Sequence, residues 1–427
     1  MMTELNRRHF LTGAGLALGG AVLAPSLAAC GGGGGGGGGS SSGKFKIGAV
    51  LELSGADATG GQIAQRGYQF WVDTVNKAGG IAVGGKKYPV ELVVQDCQSQ
   101  PGNATTAVSK LATQDKVDAM FGSYTSGVQI AMNPICEKYQ IPCLAGSAES
   151  PKTWSTQPKY AYGIIPSVDT TAGKAIELIK QLGSPAPGTI AAVGVNEPFS
   201  DATQKGFENG GTAAGLQVVY STLFPANADL TPVANAIKAK APDIVAVGGH
   251  DVLLVDFVKA LQSVGFTPKA VIEHYGITDA SFAKALGAKA NGVLGIAVWL
   301  PDSPTQDDVF GKASEYASGF HAKYGSDPDY TAAGCSAAGV VLQKALEKLG
   351  AAPGMDEAQR GKLNDTIAAT DIDCFYGKIK FEASGDHFHD NTALTPILVQ
   401  IQNGEVVAVG PQDKAKAKMI YPLPSLS

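Results

Sequence analysis

Basic residues are not in excess in this sequence, and long apolar stretches are almost absent from it. Lys and Arg number 33 against 38 Asp and Glu, which gives a formal net charge of −5. Proteins that bind nucleic acid usually carry a basic stripe, so we do not expect nucleic acid as a partner. After Cys30, no run approaches the roughly 20 apolar residues of a membrane-spanning helix. The sequence therefore predicts that the exported chain does not cross a membrane.

The motifs of cofactor and enzyme sites are missing or incomplete. The six cysteines include no CxxC pair, and His387-Phe388-His389 is expected to form an exposed turn, so no metal site is predicted. The glycine run from Gly31 to Gly39 lacks the Lys-Ser/Thr ending of a phosphate-binding loop. Gly334 to Ala338 approaches a nucleophile elbow but ends in Ala where that motif needs Gly. We predict no cofactor, no metal and no enzymatic activity.

The N-terminus has the pattern of an export signal. Arg7-Arg8-His9-Phe10-Leu11, typical of the twin-arginine pathway, precedes an apolar run from Gly13 to Leu23 that is too short for a stable span. Leu27-Ala28-Ala29-Cys30 resembles a bacterial lipobox, whose cysteine becomes lipid-modified; the alternative is an ordinary signal peptide with a chance cysteine. We predict a signal peptide over residues 1–29, then a lipidated cysteine and a flexible Gly/Ser tether over residues 30–43. The protein would then lie in the periplasm or at the cell surface, anchored to a membrane.

The exported chain has an odd number of cysteines for disulfide formation. Five remain beside the lipidated one, so at least one is free or pairs with another chain. Cys136 and Cys143 flank one short helix-to-strand turn and form the first candidate disulfide in an oxidising compartment. Cys335 with Cys374 forms the second, which leaves Cys97 free.

Short β-branched runs alternate with helical patterns along the rest of the chain. The first strands are predicted at Phe45–Leu51 and Val90–Val94, and the same rhythm restarts at Thr189–Val195. Such alternation indicates βαβ units and a parallel sheet covered on both faces. The sequence therefore predicts two α/β domains of one architecture, one of them closed by antiparallel strands at Thr395–Gln402 and Gly404–Val409. Ligands of doubly wound sheets lie beyond the carboxyl ends of the strands, so two facing domains would form a binding cleft.

Several short motifs follow these elements in a fixed order. They are Ser54-Gly55, Asn76 to Ile81, Gln95-Asp96, Phe121-Gly122-Ser123, Ser147 to Pro151, Tyr324 to Tyr330 and Tyr376 to Phe381. Together they resemble the type I periplasmic solute-binding proteins of ABC importers, and within these the branched-chain amino-acid (Leu/Ile/Val) binding group.

The resemblance implies two Rossmann-like, doubly wound lobes joined by a three-crossing hinge near Pro166, Trp299 and Phe375. The first lobe would comprise residues 44–166 and about 299–375, and the second 167–298 and about 376–427. Such a receptor, expected to be a monomer, closes on a small solute and delivers it to an ABC permease in the cytoplasmic membrane. Its chemistry is binding and not turnover.

The resemblance also implies ligand-binding positions in the first lobe. The loop with Tyr124, Ser126 and Gly127 opens a helix, and its backbone N–H groups suit a carboxylate. The Ser126 hydroxyl either binds the ligand or merely caps the helix. Three residues stand where the family binds the amino-acid head group: Ser147, Ala148 and Glu149. Glu149 replaces a family threonine, so it either receives an ammonium, amide or hydroxyl or is a solvated loop charge.

Three further positions are implied in the second lobe. Phe199 and His250 stand where the family places cleft aromatics, with ordinary packing and helix capping as their alternatives. Tyr275 stands where the family places the acidic residue for the ligand ammonium. These changes argue against a standard branched-chain amino acid as the ligand.

The leading hypothesis is an extracytoplasmic solute-binding lipoprotein for an amino-acid-like or carboxylated small molecule. One alternative keeps the receptor but changes the ligand to an aromatic acid, an amide or another apolar-bodied solute. A second alternative is a sensor that signals through a membrane partner.

Overall fold

The computed structural model describes residues 43–274 and 276–426. The predicted signal peptide, Cys30, nearly all of the tether and Tyr275 lie outside the described residues. None of the helices in these two ranges combines the length and the apolar character that crossing a membrane requires.

Helices and strands alternate as predicted. The helices are α1 (Ala58–Lys77), α2 (Pro101–Lys110), α3 (Ser126–Tyr139), α4 (Val168–Leu182), α5 (Pro198–Ala213), α6 (Thr231–Lys240), α7 (Asp251–Ser263), α8 (Ala280–Leu286), α9 (Ala313–Tyr324), α10 (Tyr330–Leu349) and α11 (Glu357–Ala368). The strands are β1 (Phe45–Leu51), β2 (Ile81–Val83), β3 (Lys86–Tyr88), β4 (Val90–Asp96), β5 (Ala119–Phe121), β6 (Cys143–Ala145), β7 (Ala161–Gly163), β8 (Thr189–Val195), β9 (Gln217–Phe224), β10 (Ile244–Gly248), β11 (Ala270–Glu273), β12 (Leu294–Ala297), β13 (Gln306–Asp307), β14 (Gly311–Lys312), β15 (Asp371–Cys374), β16 (Gly377–Lys380), β17 (Ile397–Gln402) and β18 (Glu405–Gly410).

Two sheets with the same strand order form the centres of two lobes. The first lobe contains a parallel sheet in the order β4-β1-β5-β6-β7. The second contains β9-β8-β10-β11-β12, also parallel, extended at the β12 edge by antiparallel β17 and β18. In both sheets the first strand lies between the second and the third, which is a doubly wound order. The predicted fold class is therefore confirmed.

The segments that we expect to join the lobes contact one another. The Trp299 indole N–H donates to the Phe375 carbonyl at 3.1 Å, so two of the expected crossings are in contact. Near the third expected crossing, at Pro166, the Ser167 backbone N–H donates to the Asp390 carboxylate at 3.1 Å. Residues 389–391 also bridge to β7 at the edge of the first sheet. The lobe boundaries themselves stay a prediction.

The two predicted disulfides are absent from the structure, which has all five described cysteines as buried free thiols. Cys136 and Cys143 contact each other, and a hydrogen bond between them, together with burial, raises the pKa of the Cys136 thiol. Cys335 lies inside α10, where burial raises its pKa and a hydrogen bond with Tyr68 opposes the shift. The Cys374 thiol instead donates to the Gly377 carbonyl at 3.4 Å. The second pair was wrong because these two cysteines contact different neighbours.

Candidate functional site

The shared strand order brings the ends of four strands to the gap between the lobes. In a doubly wound sheet the binding crevice forms where the chain departs to opposite sides, beyond the first and third strands. In the first lobe these ends lead to Glu52 after β1 and Tyr124 after β5. In the second lobe they lead to Glu197 after β8 and His250 after β10. The cleft is thus placed by the topology of both sheets.

The lobes touch across this gap. The Tyr124 hydroxyl lies 3.2 Å from His250 Nδ1, and Phe199 stacks on the His250 ring with centroids 4.7 Å apart. The Ser150 hydroxyl donates to the Pro198 carbonyl at 2.8 Å. Aromatic packing and hydrogen bonds therefore hold the lobes together in this structure.

These contacts divide the cleft into two chambers. The outer chamber has a volume of about 480 Å³ and is lined by the first residues of α1, α2, α3, α5 and α7, by the segments before them, and by the segment before α6. The inner chamber is about 10 Å³, enough for about one water molecule. Its lining residues are Tyr124, Ser126, Ser147, Glu149, Phe199, His250 and Thr331.

Most of the predicted ligand positions converge on these chambers. Six of the nine line the inner chamber, as given above, and Gly127 lines the outer one. Ala148 is buried between two lining residues. The ninth, Tyr275, lies outside the described residues. Sequence reasoning missed Thr331, which follows the Asp329 N-cap of α10 and gives no local signal of its own.

The loop before α3 is already bound to a carboxylate of the protein. Glu52 is fully buried and accepts the backbone N–H groups of Tyr124 and Thr125 at 3.1 and 3.0 Å, and the Thr125 hydroxyl at 2.7 Å. Burial raises the Glu52 pKa, although these hydrogen bonds oppose the shift. Part of the anion site expected at this loop is therefore occupied by Glu52.

Ser126 is not the cap of α3. That role belongs to Thr125, whose hydroxyl accepts the Val128 N–H at 3.4 Å. Ser126 Oγ instead accepts the backbone N–H groups of Glu149 and Ser150 at 3.2 and 3.0 Å. A hydroxyl that accepts two hydrogen bonds keeps its own hydrogen to donate, and Ser126 lines the inner chamber.

Glu149 is a buried group and not a solvated loop charge. It is 4% exposed, and the Tyr330 hydroxyl donates to its Oε1 at 3.3 Å. Its Oε2 lies 3.9 Å from His274 Nε2. Burial raises the Glu149 pKa well above its ordinary value, and the nearby Asp390 charge adds to the shift.

His274 of the second lobe lies close to the Glu149 carboxyl group but does not neutralise its charge. The Thr171 hydroxyl donates to the Val168 carbonyl at 3.1 Å and lies 2.9 Å from His274 Nε2. Burial lowers the His274 pKa to about 3. Its Nδ1 has no hydrogen-bond partner among the described residues. The ring is therefore neutral at physiological pH.

Gly60 gives the cleft its particular shape. A Cβ on this residue would lie 2.1 Å from the Tyr124 ring. The space beside Gly60 is therefore filled by the Tyr124 ring.

Neither chamber resembles a metal centre. Within residues 43–274 and 276–426, no group of three or more His, Cys, Asp or Glu side chains is arranged to hold a metal ion.

Known proteins share this architecture and sequence pattern. A family model for periplasmic binding proteins matches residues 44–404. The chain belongs to this family. A Leu/Ile/Val-binding protein homolog 8 from Brucella melitensis is 26% identical over 388 residues, which cover 88% of this chain and 93% of that protein. This chain is therefore a solute-binding protein and not an enzyme.

Solved structures show the same fold. The branched-chain amino acid transporter substrate-binding protein LivJ from Streptococcus pneumoniae, in complex with isoleucine, has a TM-score of 0.73 at 22% identity and covers 89% of this chain and 100% of its own. A solute-binding protein from R. palustris in complex with benzoate has a TM-score of 0.71 at 23% identity, over 86% and 96% of the two chains. Members of this family work outside the cytoplasm, so the same location holds for this binding protein.

Proposed function

We propose that this binding protein captures a small amino-acid-like or carboxylated solute between its lobes and delivers it to an ABC permease. The observation that carries this proposal is the convergence of both lobes on one polar chamber. Ser126 and Glu149 from the first lobe face Phe199 and His250 from the second. A solute held by both lobes would favour the closed arrangement over the open one, which is the basis of hinge closure.

The ligand positions in this proposal are those expected from the sequence. They are Tyr124, Ser126, Gly127, Ser147, Ala148, Glu149, Phe199, His250 and Tyr275. The isoleucine complex of LivJ favours an amino acid as the solute. The benzoate complex and the aromatic Phe199–His250 stack support an aromatic acid as the second candidate.

The N-terminal segment supplies the remaining part of the proposal. The twin-arginine pattern would direct export of the folded chain, and lipidation of Cys30 would tie it to a membrane surface through the Gly/Ser tether. Mass spectrometry of the N-terminal peptide tests this. A diacylglycerol-modified Cys30 supports the anchor, and an unmodified peptide that begins elsewhere contradicts it.

Thermal unfolding with a panel of solutes tests the receptor function. The exported protein is purified in mild detergent, freed of bound solute by unfolding and refolding, and melted with amino acids, aromatic and aliphatic carboxylates, amides, amines and sugars. A solute at 100 times its Kd should add about 2.7 kcal/mol to the free energy of unfolding. We expect an amino acid or a related acid to raise Tm and sugars to have no effect. A panel in which sugars alone raise Tm would contradict the proposal.

A further inference from the structure

Carboxyl groups outnumber basic side chains on the walls of the outer chamber. Asp57, Glu197 and Asp256 line the outer chamber, and none of its other described lining residues is Lys or Arg. Asp256 pairs with Lys259 at 3.3 Å on its own helix. Burial raises the Asp57 pKa, with the Glu197 charge adding to it and His250 opposing it. The entrance is therefore electrostatically negative.

The inner chamber repeats this pattern in a fully buried setting. Glu149 has the Tyr330 hydroxyl and the neutral His274 ring as its neighbours, and neither supplies a positive charge. Lys152 is at the same interface, but its Nζ lies 2.6 Å from a carboxylate oxygen of Asp201. A buried carboxyl group without a cation is costly when ionised, so the cleft is set up to accept a positive charge from outside.

A second buried group in the same chamber also lacks a partner. Thr331 is fully buried at the start of α10, and its Oγ1 has no hydrogen-bond partner among the described residues. It lines the inner chamber together with Glu149. Buried polar atoms are nearly always hydrogen-bonded, so an unpaired hydroxyl beside a carboxyl group indicates a place for a polar ligand group.

The N-terminus of α3 has fewer free N–H groups for a negatively charged solute than a helix N-terminus usually offers. Glu52 takes the N–H groups of Tyr124 and Thr125. The first N–H groups of a helix have no intrahelical acceptor, which leaves those of Ser126 and Gly127 for one carboxylate. The α3 N–H groups can therefore hold the carboxylate of a zwitterion while Glu149 holds its ammonium group. A simple acid would add its negative charge to a cleft that already contains carboxyl groups.

We propose that the solute carries a positively charged nitrogen that Glu149 receives, and that the cleft discriminates against solutes whose only charge is negative. This inference rests on the proposed receptor function and narrows its ligand class to amines and zwitterions. Because the inner chamber is only about 10 Å³, the nitrogen would enter as the Tyr124–His250 contact opens. Glu149 would then lose its proton to solvent, and the resulting carboxylate would pair with the positively charged nitrogen of the solute.

Isosteric solutes that differ only in charge test the inference. The probes are leucine, isoamylamine and 4-methylpentanoate, with benzylamine and benzoate as an aromatic pair. Calorimetric titration of the full exported protein should give a Kd at least about tenfold lower for leucine or an amine than for the acid of the same shape. In the variant Glu149→Gln, that preference should fall about tenfold or more. Glu405→Gln, which alters the exposed first residue of β18, is the control and should leave every Kd unchanged.

The outcomes separate this inference from the receptor function. Tight binding of benzoate or 4-methylpentanoate, with their amines weaker, overturns the charge inference and leaves the receptor function intact. An unchanged preference in a folded Glu149→Gln protein also overturns it. Solute that co-purifies with the protein, released by unfolding and identified by mass spectrometry, gives an independent reading: a cationic nitrogen supports the inference, and an amine-free acid contradicts it.

Discussion

Glu273 is a titratable residue held in an environment that suits only its neutral form. It ends β11, is fully buried, and neither carboxyl oxygen has a hydrogen-bond partner in the described chain. Burial raises its pKa well above the ordinary value of 4.5. The folded state then holds a proton that the unfolded state loses, so this residue lowers the free energy of unfolding as pH rises above about 4.5.

The variant Glu273→Gln should be more stable than the wild-type protein at neutral pH. The amide has a similar shape and no charge to desolvate, so we expect a gain of about 1–3 kcal/mol at pH 7 that shrinks as pH falls toward 5. Urea unfolding at pH 5, 6, 7 and 8 measures this. The exposed Glu405→Gln variant should follow the wild-type curve, and a gain that does not change with pH would contradict the explanation.

The site residues illustrate what sequence patterns can and cannot predict. Ser126 and Glu149 were expected in the cleft because the resemblance to the family implied it, and both line the inner chamber. Glu52 follows β1 at the same edge, but its role depends on burial and on the N–H groups of a loop 72 residues away. Thr331 reaches the chamber from α10, far along the chain. Such contacts depend on tertiary packing that no local pattern records.

At the scale of elements, the close packing of α1 against α10 depends on glycine. Gly339 lies in α10 against Trp71 of α1, and an added Cβ would lie 2.2 Å from the indole ring. Gly361 lies in the interior of α11, where nothing stands within 4 Å of an added Cβ. The two glycines therefore have opposite consequences for stability.

Alanine substitution at these two positions should change stability in opposite directions. Gly339→Ala overpacks a buried contact and should cost about 1–3 kcal/mol. Gly361→Ala favours the helix and should add about 0.5–1 kcal/mol. Urea denaturation of both variants measures the difference. Equal effects of the same sign would show that helix propensity, and not the α1–α10 contact, decides the outcome at Gly339.

Element prediction was most accurate where a strand or helix is long and periodic. Phe45–Leu51 and Thr189–Val195 have the bounds that the sequence predicted. The hairpin of β2 and β3 was missed because its strands are three residues each and one of them contains Lys86-Lys87. Helix α1 begins at Ala58, although its first turns contain glycines, and these pack tightly against neighbours such as Tyr124. Close packing here overrides low helix propensity.

At the scale of the whole molecule, the contacts between lobes decide which arrangement the solute stabilises. Lys152 follows β6 in the first lobe and binds Asp201 of α5 in the second at 2.6 Å. Lys205 binds the same carboxylate at 2.9 Å from one turn further along α5. Lys152 therefore bridges the lobes, whereas Lys205 makes an equivalent ion pair within one of them.

Replacing each lysine by alanine separates the effect of a contact between the lobes from the effect of losing an ion pair to Asp201. Lys152→Ala should raise the solute Kd about two- to fivefold, because a half-exposed ion pair contributes about 1 kcal/mol or less and this one exists only with the lobes together. Lys205→Ala should leave Kd within about twofold, since its pair is kept in both arrangements. Calorimetry gives Kd, and small-angle X-ray scattering should show a smaller radius of gyration with solute than without it. Equal losses in the two variants would place the effect in α5 itself, and an unchanged radius of gyration would contradict hinge closure.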